Sequence, residues 1–180
     1  MVEIKRLGPD TEKDFLQFMD GPAFETNPNW SACYCQFYLN TEAENEQATK
    51  EFSRQQACDR IQNRIMNGYL AYEGDTAIGW VAANAAKNFR LLPSEETKTA
   101  RILCFVVAPN FQNQGIATQL LNFAIQDLKN QGFEKVEAAP LKSDEHNKTS
   151  YRGKLSMFKK LGFEELRMVD DKHVLIHRNL

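Results

Sequence analysis

The stretch from Arg101 to Phe133 limits the fold more than any other part of the chain. It opens with "ILCFVV", an unbroken apolar run of the kind found in a strand covered on both faces. A polar, uncharged turn, "PNFQNQG", follows. Then Ala117, Leu120, Leu121, Ala124, Ile125 and Leu128 recur at i, i+3, i+4, i+7, i+8 and i+11, one face of an amphipathic helix. Gly132 suits the residue just past the end of that helix, with Phe133 as the apolar contact beyond it. The unit is strand, turn, helix. The start of a helix carries unpaired N–H groups and a partial positive charge, so an anion fits there. Gly115 has no Cβ and would let a bulky anion reach the backbone. An ordinary strand-to-helix turn looks the same, since one glycine before a helix is a weak signal. Neither the G-x-G-x-x-G pattern of a dinucleotide site nor the G-K-[ST] ending of a P-loop is present.

The rest of the chain fits around this unit. At 180 residues a single domain is expected. Val2 and Ile4 alternate with charged residues, as in a short edge strand. Pro9 and Asp10 open a helix carrying Phe15, Leu16, Phe18 and Met19. Residues 21–40 are irregular and rich in aromatics. One long polar helix is predicted from Thr41 to Met66, on the spacing of Phe52, Cys58, Ile61, Ile65 and Met66. "YLAYEGDTAIGWVAANAA" reads as a hairpin turning at Glu73-Gly74-Asp75. After the central helix come a strand, "KVEAAP", a short helix ending at Gly162-Phe163, and a last strand, "HVLIHRNL". The order is β-α-α-β-β-β-α-β-α-β. A net charge of −2 provides no electrostatic footprint for nucleic acid. No apolar run is long enough to span a membrane, and the N-terminus lacks a signal-peptide core. Four cysteines in a chain of this length do not form a disulfide framework. These readings predict a cytoplasmic protein with neither nucleic acid nor membrane as partner.

Two motifs together resemble those of the GNAT acetyltransferase superfamily. Gln112-x-x-Gly115-x-Ala117 between strand and helix resembles its pyrophosphate loop, and "MFKKLGF" (Met157 to Phe163) resembles the end of its last helix. "NWSACYCQFY", "IGWVAA" and "YRGKLSMFKKLGF" are also similar to a little-characterised bacterial subgroup. The resemblance implies a mixed α+β acyl-CoA N-acyltransferase fold. Its twisted, mostly antiparallel sheet would have six or seven strands and about four helices, with a splayed strand pair at the cofactor cleft. It implies one domain over 1–180, with acceptor-side elements in 1–67 and a cofactor core in 68–180. It implies acetyl-CoA as acyl donor and a small amine as acceptor, which attacks the thioester directly. By motif position, backbone groups of Phe105, Val106 and Val107 would hold the pantetheine arm. Those of Gln112, Asn113, Gln114, Gly115, Ile116 and Ala117 would hold the pyrophosphate. Tyr151 and Phe158 would face the donor. Residues 24–38 would shape the acceptor pocket, through Trp30, Cys33, Tyr34, Cys35 and Tyr38. An acyl-CoA-binding sensor with little or no transferase activity is the alternative, and a monomer or a homodimer is expected.

Two departures from the family pattern bear on chemistry. The loop "FQNQGIA" carries no arginine or lysine. Arg152, Lys154 and Lys159 are candidates for the donor's 3′-phosphate, against a reading as a solvated helix face. Many relatives place a tyrosine acid four residues before the Gly-Phe glycine, and here that residue is Phe158, which cannot donate a proton. A free amine has a pKa of about 10.4, so its attack at neutral pH needs a base or desolvation. Glu137, interrupting the apolar run "VEAAP", is the first candidate base, with a solvent-facing or salt-bridged strand residue as the competing reading. His146, His173 and His177 rank below it, because a lone histidine carries no geometry. No metal is expected. Cys33 and Cys35 lack a second cysteine pair at metal spacing, and His173 and His177 in a strand would lie about 13 Å apart.

Overall fold

The computed structural model describes residues 2–143 and 151–180. Seven strands form one sheet: β1 (Val2–Arg6), β2 (Gly68–Glu73), β3 (Thr76–Ala85), β4 (Thr99–Val107), β5 (Lys135–Ala138), β6 (Glu164–Met168) and β7 (Val174–Asn179). Their order is β1-β2-β3-β4-β5-β7-β6. Every neighbouring pair is antiparallel except β4 and β5. A parallel pair needs a crossover. Helix α4 (Ile116–Asn130) supplies it, and so completes the strand–turn–helix unit that opens the sequence argument. The remaining α-helices among the described residues are α1 (Glu12–Asp20), α2 (Glu42–Glu46), α3 (Lys50–Gln62) and α5 (Leu155–Lys160).

The sheet buries both faces. One face packs α1, the aromatic segment after it and the inner side of α3 around Phe15, Tyr34, Leu70, Trp80 and Leu103. Phe15 meets Trp80 edge-on at 4.8 Å. The other face is covered by α4 and α5. Leu120, Leu121, Ala124, Ile125 and Leu128 are all buried there, each large side chain worth about 1.5–3 kcal/mol over exposure. Gly132 takes the left-handed conformation and Phe133 donates back to Leu128, closing α4 as its sequence predicts.

Two expectations change. The predicted helix 41–66 is two helices. Thr41 forms a capping box with Glu44 to start α2, and the Thr49 hydroxyl accepts from the Phe52 N–H to start α3. The buried stripe of α3 is Ser53, Ala57 and Ile61, while Phe52 and Ile65 lie exposed. A strand absent from the predicted order, β6, lies at the sheet edge beside β7, with all five residues exposed.

Candidate active site

Strands β4 and β5 pair only from Thr99↔Lys135 to Ile102↔Ala138. Two residues further on, Cys104 is the extra residue of a bulge, because Val81 faces Phe105 and Ala82 faces Leu103. Cys104 sits at φ +55°. The bulge bends β4 just where β5 stops, so the pair parts and the edge of β4 opens. Antiparallel alternation then decides which backbone groups face the gap. The Ala108 N–H bonds Ile78 at 2.9 Å, so Ala108 and Val106 point toward β3. Phe105 and Val107 point into the gap. There the Phe105 N–H donates to the Tyr151 carbonyl at 2.6 Å, and Gln112 Nε2 donates to the Val107 carbonyl at 3.1 Å. Of the three residues expected to offer backbone to a donor, Val106 therefore turns away, because pairing with β3 uses that side of the strand.

The turn to α4 lies at the same end of β4. Asn113 and Gly115 have φ of +61° and +80°. The first helical acceptor is the Gly115 carbonyl, taken by Gln119 at 3.0 Å, so the amides of Ile116, Ala117 and Thr118 precede any i−4 partner. The side chain of Gln114 folds back to the Asn110 carbonyl at 2.9 Å. A Cβ placed on Gly115 would meet nothing within 4 Å, so the space in front of these amides is open.

Beyond the bulge, on the opposite face of the sheet from α4, lies a cavity of about 270 Å³. Phe24, Trp30, Phe37, Tyr38 and Tyr151 form its aromatic walls. Cys104 and Val106 line it from the sheet, Cys33 and Cys35 from the segment after α1, and Leu141, Arg152, Lys172 and His173 complete it. Trp30, Cys33, Cys35 and Tyr38, expected around an acceptor, stand together here. Tyr34 does not. It is fully buried, and its hydroxyl donates to Asp20, which also pairs with Arg54. Tyr151 packs edge-on against Phe24 at 5.4 Å and Trp30 at 5.9 Å, so its ring belongs to this wall. Phe158, expected against the donor, is fully buried between Phe105 and Phe163, with no surface left for a ligand. Two of the non-glycine residues at positive φ, Cys35 and Cys104, line the cavity, a conformation costing about 1–2 kcal/mol each. Burial pushes the Cys33 thiol up to about 11, and contact with Cys104 followed by burial raises that of Cys35. Both are neutral thiols near pH 7, poor as nucleophiles.

Glu137 is not brought to this cavity. It is 4% exposed and receives a 2.5 Å hydrogen bond from Arg101 Nη2, with Lys135 Nζ at 3.3 Å. His173 is brought there, which its sequence neighbours did not foretell. The turn between β6 and β7 is held by Asp170, whose Oδ1 accepts the N–H groups of Lys172 and His173 at 2.8 Å each. Its Oδ2 lies 2.8 Å from His173 Nδ1. The chain after β5 runs beside this turn, through the Leu141–His173 bridge and the Lys142 N–H to Lys172 carbonyl bond, and so seats His173 in the cavity wall. Asp170 is held down at about 2. Burial opposes this and is the largest single influence, but the two backbone N–H bonds and the imidazole together outweigh it. An ionised Asp170 needs a donor, so it fixes the proton of neutral His173 on Nδ1 and leaves the lone pair on Nε2. A depressed carboxylate stabilises above its unfolded value, about 4, and loses that contribution as pH falls through its folded value. The side-chain carboxyl resonance of Asp170 is therefore expected to titrate well below the ordinary value of about 4. A titration at the ordinary value would contradict this hold on the turn.

Arg152 also changes place. It precedes α5 and enters the cavity wall, with its guanidinium 4.9 Å above the Tyr38 ring and bonded to the Tyr38 hydroxyl. Lys159 pairs instead with Glu165 at 2.8 Å. His177 lies on β7 opposite Glu137, and His146 falls outside the described residues. Among the described residues no group of three or more His, Cys, Asp or Glu is placed to hold a metal ion, and no helix is long and apolar enough to cross a membrane.

A parallel strand pair parting at a bulge, beside a helix whose first amides have no partner among the described residues, is the arrangement that the resemblance to acyltransferases implies. Comparison takes that class to a family. Residues 29–163, three quarters of the chain, match the model described as the acetyltransferase (GNAT) family. The chain belongs to this family. The fold is similar to that of the PaiA N-acetyltransferase from Thermoplasma acidophilum in complex with coenzyme A, at 16% identity and TM-score 0.63, covering 100% of this chain and 99% of that one. It is similar to the GNAT domain of S. lividans PAT at 15% identity and TM-score 0.66, over 99% and 90%. The ribosomal-protein-S18-alanine N-acetyltransferase from Escherichia coli matches at 12% identity and TM-score 0.58, over 99% and 94%. At these identities the likeness carries the fold alone. Comparison with curated proteins finds no match.

Proposed function

We propose that the protein transfers an acetyl group from acetyl-CoA to the amine of a small acceptor, by direct attack of the amine on the thioester. The observation that carries this reading is the placement of the β4 gap. The open amides of α4 lie on one side of it and, on the other, a cavity lined by His173, whose ring is paired with Asp170. The residues present fit the donor's diphosphate: the Gly115 surface is open, and the amides of Ile116 to Thr118 precede any helical acceptor. With no cation in the loop, these N–H groups and the helix dipole do the binding. The donor, when bound, supplies an activated acetyl thioester. The Phe105 N–H is a donor on the β4 edge, and a ligand there competes for it with the Tyr151 carbonyl.

His173 Nε2 takes the proton of the attacking amine, and Asp170 positions the ring and stabilises it once protonated. The aromatic walls exclude water from the nitrogen. With Phe158 in place of the usual tyrosine, no acid is assigned to the departing thiolate. A thiol's pKa of about 8.5 makes that departure tolerable unaided.

Gly115→Leu tests the donor site. Added atoms would enter open space, so the fold is expected to survive with about 1–2 kcal/mol of strain from the positive φ. Coenzyme A at a hundred times its dissociation constant is expected to stabilise the parent protein by about 2.7 kcal/mol, and the variant not at all. Equal protection of both would move the diphosphate elsewhere. Protection of the parent without thiol release on any amine would favour the alternative of a CoA-binding sensor.

A further inference from the structure

The cavity beside the bulge has a charge character unlike that of the chain as a whole. The protein carries a net charge of −2, yet no carboxylate is among the described residues that line this cavity. Among the described residues its charged lining is cationic. Arg152 reaches in with a guanidinium whose described hydrogen-bond and ring partners are neutral, the Tyr38 hydroxyl and ring and, at 3.4 Å, the Ala139 carbonyl, while the charge of Asp170 acts on it without a described ion pair. Lys172 stands next to His173 on the same wall, and among the described residues it makes no ion pair. Asp170, a described carboxylate beside this wall, is turned onto His173 and the backbone of its own turn.

We infer that the acceptor is an amino-carboxylate with a flat apolar body, of the class of the aromatic amino acids. This rests on the N-acetyltransferase reading and narrows it. An amine approaching this cavity arrives mostly protonated, since its pKa is about 10. A diamine or polyamine would bring two positive charges against Arg152 and Lys172 with no described carboxylate to meet them. An amino acid arrives as a zwitterion, and its carboxylate matches the planar donor fork of an arginine. With that group on Arg152 and Lys172, the amine is left for His173. The body of the molecule then lies among Trp30, Phe37 and Tyr151, where an aromatic ring finds edge and face contacts. A cavity of about 270 Å³ suits one such molecule and is too small for a folded protein segment.

Pairs of amines that differ only in the carboxylate test this: phenylalanine with phenethylamine, tyrosine with tyramine, tryptophan with tryptamine, and putrescine as the diamine. Thiol release from acetyl-CoA is expected to give kcat/KM about tenfold or more higher for the carboxylated member of at least one pair, the scale of a charge-assisted hydrogen bond. Arg152→Met, and separately the exposed Lys172→Met, are expected to bring that ratio toward one. A higher rate with the decarboxylated member or with putrescine would overturn the inference. So would a ratio unchanged in both variants. If no amine is turned over, thermal shift with coenzyme A plus each amine decides. A further shift with the carboxylated members alone supports the inference, and none overturns it. The shift with coenzyme A alone, read in the same plate, reports on the donor site separately.

Discussion

His173→Gln is expected to lower kcat by about a hundredfold or more and to leave the chain folded. The magnitude is that of removing a positioned proton acceptor. The fold should tolerate it, because the side chain is 18% exposed at a hairpin tip and the backbone bonds that shape the tip come from Asp170. Asp170→Asn is the sharper probe. An asparagine oxygen still accepts the two backbone N–H groups, so the turn should persist. Its amide would donate to Nδ1, however, and drive the ring proton to Nε2, where the amine needs a lone pair. The two variants should therefore lose turnover together while coenzyme A binding, read by thermal shift, stays at the parent value. Turnover within a few-fold of the parent in His173→Gln would remove this residue from the reaction and leave the donor site standing.

Why this pair escapes a reading of the sequence is a matter of range. A periodic pattern shows which face a residue takes within an element, and that sufficed for α4 and its glycine stop. Asp170 and His173 belong to a turn between two strands, and one of those strands, β6, is exposed at all five residues. An edge strand that buries nothing leaves no alternation to detect. Without β6 there was no hairpin, and without the hairpin Asp170 had no reason to lie beside His173. The retrospective signal is local: aspartate followed at +2 and +3 by the residues whose N–H groups it accepts is an Asx-type turn.

The same distinction sorts the other residues. The turn at Gly115 was legible because covalent geometry imposes it, and only glycine takes φ +80° freely. The split of α2 from α3 was not, because Thr49 reads as one more polar residue until its hydroxyl is seen capping Phe52. The aromatic segment was legible as a cluster but not in detail. Tyr34 and Tyr38 differ in sequence only by position, yet one donates to Asp20 in the core and the other faces the cavity with Arg152. Consecutive left-handed residues at Tyr34 and Cys35 produce that division, and no periodicity encodes them.

Removing the Glu137 carboxylate is expected to cost about 3–5 kcal/mol of stability, the scale of breaking a buried ion pair from one side. Arg101 is 1% exposed, and two of its guanidinium nitrogens, Nε and Nη1, have no partner among the described residues. Glu137 is thus its carboxylate partner there, at 2.5 Å. The two residues face each other across β4 and β5 one row before the last pair, immediately below the gap. They hold the strands together at the point from which they diverge. Glu137→Gln keeps the shape but leaves the guanidinium charge uncompensated, so its denaturant midpoint should fall clearly. A typical domain has only about 5–15 kcal/mol to lose. Replacing both partners with apolar residues, Arg101→Met with Glu137→Leu, should recover most of the loss, since the cost lies in the stranded charge. A proton acceptor in the reaction would behave in the opposite way: Glu137→Gln would fold as well as the parent and fail only in turnover. The pair of measurements therefore separates two roles that the interrupted run "VEAAP" allows. Burial away from the cavity, and the short contact with Arg101, favour the structural one.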